Sequence, residues 1–287
     1  MLCFTKEISF FKQRAIIVFC FFSILLSNSN EEQRIVTIGG SVTEIAFALG
    51  VGESIIAVDQ SSTIPEKVLD LPQVGYIRAI SSEGILSVMP TKIITTSDMG
   101  PPNVIKQIQD SGVELVILNA ATDFDGILRM VGEIANSLNI PKEGERVQNK
   151  ISKEFSKVKS LVSKNAKKSK VAFFMDMTGS KVFNAAGKGT RGDYLIEVIG
   201  GKNIFKNDFK RYSKVSSESL IRYDPDLILI ATKGFSGSLK SYIYDEKSLE
   251  SISAVSSKNV FEIDIGYYLT FGTNFSEAVL KLLEEIK

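Results

Sequence analysis

Tyr76 and Arg78 stand two residues apart, just after Gly75, and carry the most specific chemistry in the chain. A phenolate is a hard oxygen donor suited to Fe(III). A free phenol ionises only near pH ~10, so it needs help, most of it from the bound ion. Arg78 adds a positive charge nearby. Taken alone, a loop Tyr-x-Arg reads more simply as a half-exposed packing tyrosine beside a solvated arginine, and both readings stay open. Lys188 and Arg191, in the loop Ala185–Gly192, are able to hold carboxylates together with the backbone amides of a following helix; a charged loop is also commonly just solvated. Tyr212, Tyr267, Tyr268 and Phe271 offer rings that stack on a flat ligand or fill an ordinary core.

What is missing narrows the chemistry further. The chain has no histidine, and its two cysteines, Cys3 and Cys20, lie near the start. Zinc and copper sites and His-based triads are therefore disfavoured. There is no Gly-x-Ser-x-Gly elbow, no Walker loop and no complete dinucleotide fingerprint; Gly39-Gly40-Ser41 is only a fragment of one. A non-enzymatic protein without a catalytic cofactor is the expectation.

Residues 1–29 read as a cleavable export signal. Lys6, Lys12 and Arg14 precede the apolar run Ala15–Leu26, and Ser27 and Ser29 suit cleavage after Ser29. The run is too short to cross a bilayer comfortably. Phe19 before Cys20, and apolar residues after it, argue against a lipid anchor there. Of 34 basic and 33 acidic residues, only those three cations and Glu7 fall in this segment, so the remainder is nearly neutral. That balance, without a basic stripe, argues against nucleic acid and anionic membrane surfaces as partners.

The elements that must position these side chains follow from periodicity. Strands are expected at 34–38, 55–58, 92–95 and 113–118, with helices at 44–49, capped by Ser41 or Thr43, at 82–88 and at 101–111. Such alternation indicates a parallel sheet flanked by helices. In the charged stretch 141–167, Val147, Ile151, Phe155, Val158 and Val162 form one apolar stripe, which predicts a single long helix. A second β/α series opens at 170–175, with helices at 195–199, 217–222 and 274–286 and a strand at 227–231. Ile80–Pro90 matches Val215–Pro225 without a gap, sharing Ser-Ser-Glu and the proline, and each segment leads into a strand. Two related α/β lobes joined by one helix follow from this echo. The expected divisions are 1–29 signal, 34–140 first lobe, 141–168 connecting helix and 169–287 second lobe.

The segments RIVTIGGSVTEIAFALG, VGYIRAISSEGILSVMP, NAAGKGTRGDYLIEVIGGKNIF and VSSESLIRYDPDLILI, with the long helix between them, resemble the periplasmic binding proteins that serve importers of haem, cobalamin and ferric siderophores. The segment Val74–Arg78 leading into SSEGILS looks like the haem-binding branch, as do AAGKGT and Leu269-Thr270-Phe271-Gly272. The resemblance implies two Rossmann-like lobes on a rigid helical backbone, with the ligand between them. It implies haem as transported cargo, Tyr76 as the axial ligand of its iron, and Arg78, Lys188, Arg191, Tyr212, Tyr268 and Phe271 around it. Some relatives supply a histidine from the second lobe, after the strand that here reads VAFFMDMTGS. Met177 and Thr178 stand there, so the iron is either five-coordinate or bound by Met177. The resemblance also implies a periplasmic monomer that docks on the permease of an ABC importer with its ATPase, through one glutamate per lobe, Glu83 and Glu197. A ferric siderophore or a corrinoid is the alternative cargo.

Overall fold

The computed structural model describes residues 33–164, 168–176, 182–233 and 238–286. The export-signal reading and Met177 lie outside the described residues.

The first lobe is built from β1 (Ile35–Ile38), α1 (Gly40–Ala48), β2 (Ile55–Val58), β3 (Gly75–Tyr76), β4 (Ala79–Ile80), α2 (Ser82–Leu86), β5 (Lys92–Thr96), α3 (Pro102–Asp110), β6 (Glu114–Leu118) and α4 (Phe124–Ser137). Its sheet runs β2-β1-β5-β6 with every neighbour parallel. The strands β1 and β5 are buried throughout, as runs of Ile, Val and Thr covered on both faces must be.

Helix α1 begins four residues earlier than its sequence suggests, and neither Ser41 nor Thr43 caps it. Gly39 takes φ 110, which a side chain resists, and the helix starts directly after it. Its first amides are satisfied from elsewhere: Gly39 N donates to Asp59 Oδ1 at 2.8 Å and Gly40 N to Ser61 Oγ at 3.1 Å. The cap is tertiary, supplied by the loop after β2.

Helix α5 (Pro141–Ser163) is the connecting helix. Val147, Ile151, Phe155 and Val158 are buried, and Val162 is half-buried. Phe155 stacks on Phe124 with ring centroids 3.8 Å apart. Gly144 lets α5 approach α4 closely, since a Cβ there would lie 2.6 Å from Ala135. A single apolar cluster runs from Ile35 and Ile45 through this stripe to Phe173, Leu229 and Leu282. Burial worth ~1.5–3 kcal/mol per large side chain therefore ties both lobes to the helix.

The second lobe comprises β7 (Lys170–Asp176), β8 (Phe183–Ala186), α6 (Arg191–Val198), β9 (Lys202–Asn203), β10 (Tyr212–Val215), α7 (Ser217–Tyr223), β11 (Leu227–Thr232), α8 (Ser238–Asp245), α9 (Ser253–Ser256), β12 (Val260–Asp264), α10 (Ile265–Tyr268) and α11 (Phe275–Glu285). Its sheet runs β10-β8-β7-β11-β12, with β9 also on β7. Strands β7, β11 and β12 are parallel, whereas β8 is antiparallel to both its neighbours, so this sheet is mixed. The two sheets and the single helix between them make a two-lobed α/β architecture.

The sequence echo extends to the backbone. Ser81 caps α2 and Ser216 caps α7 by accepting from the amide three residues on. Met89 and Asp224, each just before the shared proline, take φ 49 and 47.

Candidate functional site

Tyr76 sits on a tight hairpin in which Gly75 pairs with Ile80 and Tyr76 with Ala79. Gly75 takes φ 116, which a glycine adopts without strain. Val74, Ile77 and Ile80 are buried in the first lobe's outer core and pin the hairpin. Backbone bonds clamp it on both sides: Gln60 N donates to Gly75 O at 2.8 Å, and Gly100 N donates to Ile77 O at 3.0 Å. With Ile77 turned inward, Tyr76 is left 45% exposed, and its hydroxyl has no hydrogen bond among the described residues. An exposed ring on a fixed backbone is a pre-positioned donor.

Arg78 extends to within 4.0 Å of Asp98, in the loop after β5. From the second lobe, Arg191 reaches within 4.0 Å of the same carboxylate oxygen. Arg191 donates to Leu269 O at 2.8 Å and to Ala121 O at 3.3 Å, and lies over the Phe271 ring at 5.3 Å. Residues beyond the carboxyl ends of β5, β6 and β12 thus converge on one guanidinium, the usual place for ligands in α/β sheets. Burial lowers the Arg191 pKa; Asp98 and Tyr212 oppose that shift, and Arg78 adds to it. Arginine nevertheless stays charged.

Helix α6 is held in place by Thr190 Oγ1, which accepts from Asp193 N, and by Tyr212 Oη, which accepts from Gly192 N at 3.3 Å. Burial raises the Tyr212 pKa, so its phenol stays neutral. Lys188 is exposed on the preceding loop, which pairs with the loop carrying Lys210 and Arg211. Among the described residues, Lys188, Lys210 and Arg211 have no acidic partner within 4.0 Å.

Two of the expected ring contacts do not form an open face. Phe271 is 0% exposed, packed against Tyr194 and Phe275 beneath Arg191, so it supports the site instead of lining it. Tyr268 donates its hydroxyl to Ala278 O of α11 at 3.0 Å, and its pKa is pushed up to about 12 by burial and then by Glu285 and Asp264. Its ring lines, with Tyr267 and Lys281, a cavity of about 350 Å³ beside α11.

Sequence reasoning passed over Asp98, which only the fold brings between two arginines. It also passed over Glu218, although the echo contained the signal: Glu218 stands in the first turn of α7 as Glu83 does in α2, both exposed. Glu197 lies elsewhere, on α6, where Lys206 approaches it at 3.5 Å. No group of three or more acidic, histidine or cysteine side chains placed to hold a metal occurs among the described residues.

These features, two lobes on a helical backbone with charged side chains meeting between them, define a solute-binding protein. Residues 35–265 match the family model described as periplasmic binding protein, and the chain belongs to that family. The periplasmic heme-binding protein RhuT from Roseiflexus sp. RS-1, in apo form, superposes with a TM-score of 0.82 at 30% identity, over 89% of this chain and 98% of that one. The periplasmic heme-binding protein HutB of Vibrio cholerae gives 0.78 at 27% identity, over 89% and 99%. Among curated relatives, the vitamin B12-binding protein of Vibrio parahaemolyticus is 24% identical over 75% of this chain and 77% of that protein.

Proposed function

We propose that this protein captures haem between its lobes, with residues 34–140 and 169–287 as the lobes, and delivers it to an ABC-type importer. The observation that carries this reading is Tyr76, an exposed phenol on a hairpin pinned by Val74, Ile77 and Ile80. It is a hard donor suited to ferric iron, with the Arg78 and Arg191 cations nearby to meet propionates. Similarity to solved haem-binding proteins supports the same cargo. Export through the segment 1–29, a monomeric state, and docking through Glu83 and Glu197 complete the proposal. Salt bridges of that kind steer and register a complex more than they tighten it. The surface pair of Glu197 with Lys206 is worth ~1 kcal/mol or less and is readily exchanged for a partner's arginine.

Titration of haemin into the purified protein should give a Soret shift that is lost or displaced in Tyr76→Phe; an identical spectrum in that variant would remove the ligation claim. Similarity to vitamin B12-binding proteins favours a corrinoid as the second reading. Thermal stabilisation by cyanocobalamin, without any haemin shift, would establish it. For docking, Glu83→Ala combined with Glu197→Ala should abolish uptake and keep haem binding. Loss only when Glu83→Ala is combined with Glu218→Ala would reassign the second contact.

A further inference from the structure

We propose that Asp98 is an internal counter-ion that a ligand carboxylate must displace, so that it sets how tightly and how selectively the cleft holds an anionic porphyrin. The inference rests on the haem reading and deepens it.

The geometry is that of a placeholder. One oxygen, Asp98 Oδ2, lies 4.0 Å from Arg78 Nη2 of its own lobe and 4.0 Å from Arg191 Nη2 of the other. Both separations exceed hydrogen-bond length, so Asp98 attracts each guanidinium without locking it, while the two guanidinium groups repel one another. The side chains remain accessible: Asp98 is 39% exposed, Arg78 66% and Arg191 34%. Arg191 is anchored independently by Leu269 O, Ala121 O and the Phe271 ring, so it stays in place whether or not Asp98 faces it. Arg78 has no hydrogen bond among the described residues. Each guanidinium therefore keeps donors able to take a carboxylate in the bidentate manner.

Two cations facing one internal anion leave a site that is weakly attractive to a neutral ligand side chain and strongly attractive to an acid. An incoming propionate meets Asp98 as a like charge and has to move it aside. The repulsion of a unit charge about 4 Å away, between its values in water and at a protein surface, corresponds to roughly tenfold or more in affinity. Asp98 thereby weakens binding of the diacid and leaves an esterified or amidated ligand little affected. A cargo protein has to release what it binds, and a displaceable internal anion assists release.

The test compares haemin with haemin dimethyl ester in the wild-type protein and in Asp98→Asn, at 0.1 M and 1 M salt. The expected result is that Asp98→Asn binds the diacid ~10-fold more tightly, with the gain shrinking at high salt as screening shortens from about 10 Å to about 3 Å. The ester should show no change, and Arg78→Gln should reduce the gain. An unchanged or weaker affinity for the diacid, or an equal change for acid and ester, overturns the inference while leaving the haem reading standing. Wild-type protein that binds neither ligand overturns both.

Discussion

Glu44 offers the sharpest test of the energetics. It is 3% exposed on α1, and its Oε1 accepts from Thr273 Oγ1 at 3.0 Å and from Asn274 N at the start of α11. Burial raises its pKa from 4.5 to about 7, against the lowering effect of those hydrogen bonds. Arg146 and Lys150 of α5 line the same cavity of about 310 Å³. They are drawn to Glu143 and Glu154 of their own helix at 2.6 and 3.9 Å. Because the folded-state pKa lies above the unfolded one, the folded protein holds a proton that the unfolded chain has released between pH 4.5 and about 7. Stability must therefore fall as pH rises through that window and level off above it. At about 1.4 kcal/mol per unit, the loss from this group is roughly 3 kcal/mol. Glu44→Gln keeps the accepting oxygen for both donors and stays neutral. The variant should match the wild type near pH ~4, below the unfolded pKa, and exceed it by up to ~3 kcal/mol at pH ~8. Urea unfolding at successive pH values measures the difference, in which every other titrating group cancels. A difference that is constant with pH would refute the reasoning.

Two further perturbations follow from the loops that shape the site. Asp59 is fully buried and accepts from Gly39 N, Ser61 N, Ser61 Oγ and Ser62 Oγ. Asp59→Ala should cost several kcal/mol, at about 1–3 for each buried donor left without a partner, and speed amide exchange at Gly39; a loss too small to detect by chemical denaturation would count against the tertiary cap. A Cβ on Gly187 would lie 2.4 Å from Phe209 O and 2.7 Å from Arg211 O, so Gly187→Ala forces the paired loops apart. It should destabilise by ~1–3 kcal/mol, read as a lowered Tm, and an unchanged Tm would mean that the loop carrying Lys188 is looser than its contacts imply.

Much of the architecture was legible because periodicity is a local property. The alternation of strand and helix, the apolar stripe Val147–Val158 and the Ile80/Val215 echo all reappear as elements close to where the pattern puts them. The Tyr76 hairpin was less legible. The sequence suggests a turn at Gly75, but Gly75 is a strand residue paired with Ile80, and the turn falls at Ile77 and Arg78. The burial of Ile77 that leaves Tyr76 outward is a fact of packing. Helix α4 and the antiparallel β8 were not read: the former's apolar positions lie next to the long helix they pack against, and the latter's pairing depends on a partner far along the chain.

By itself, the sequence determined two α/β lobes, a helix between them, the absence of histidine chemistry and a tyrosine–arginine loop. Only the tertiary structure decided which charges meet. Asp98 and Arg191 belong to different lobes, and Glu44 accepts from the amide of Asn274, 230 residues later, at the entry to α11. Phe271, expected to face a ligand, became the floor beneath Arg191. The physical reason is that side-chain patterns encode which face of an element is apolar, whereas the electrostatics of a cleft arise between loops whose neighbours are chosen by packing alone.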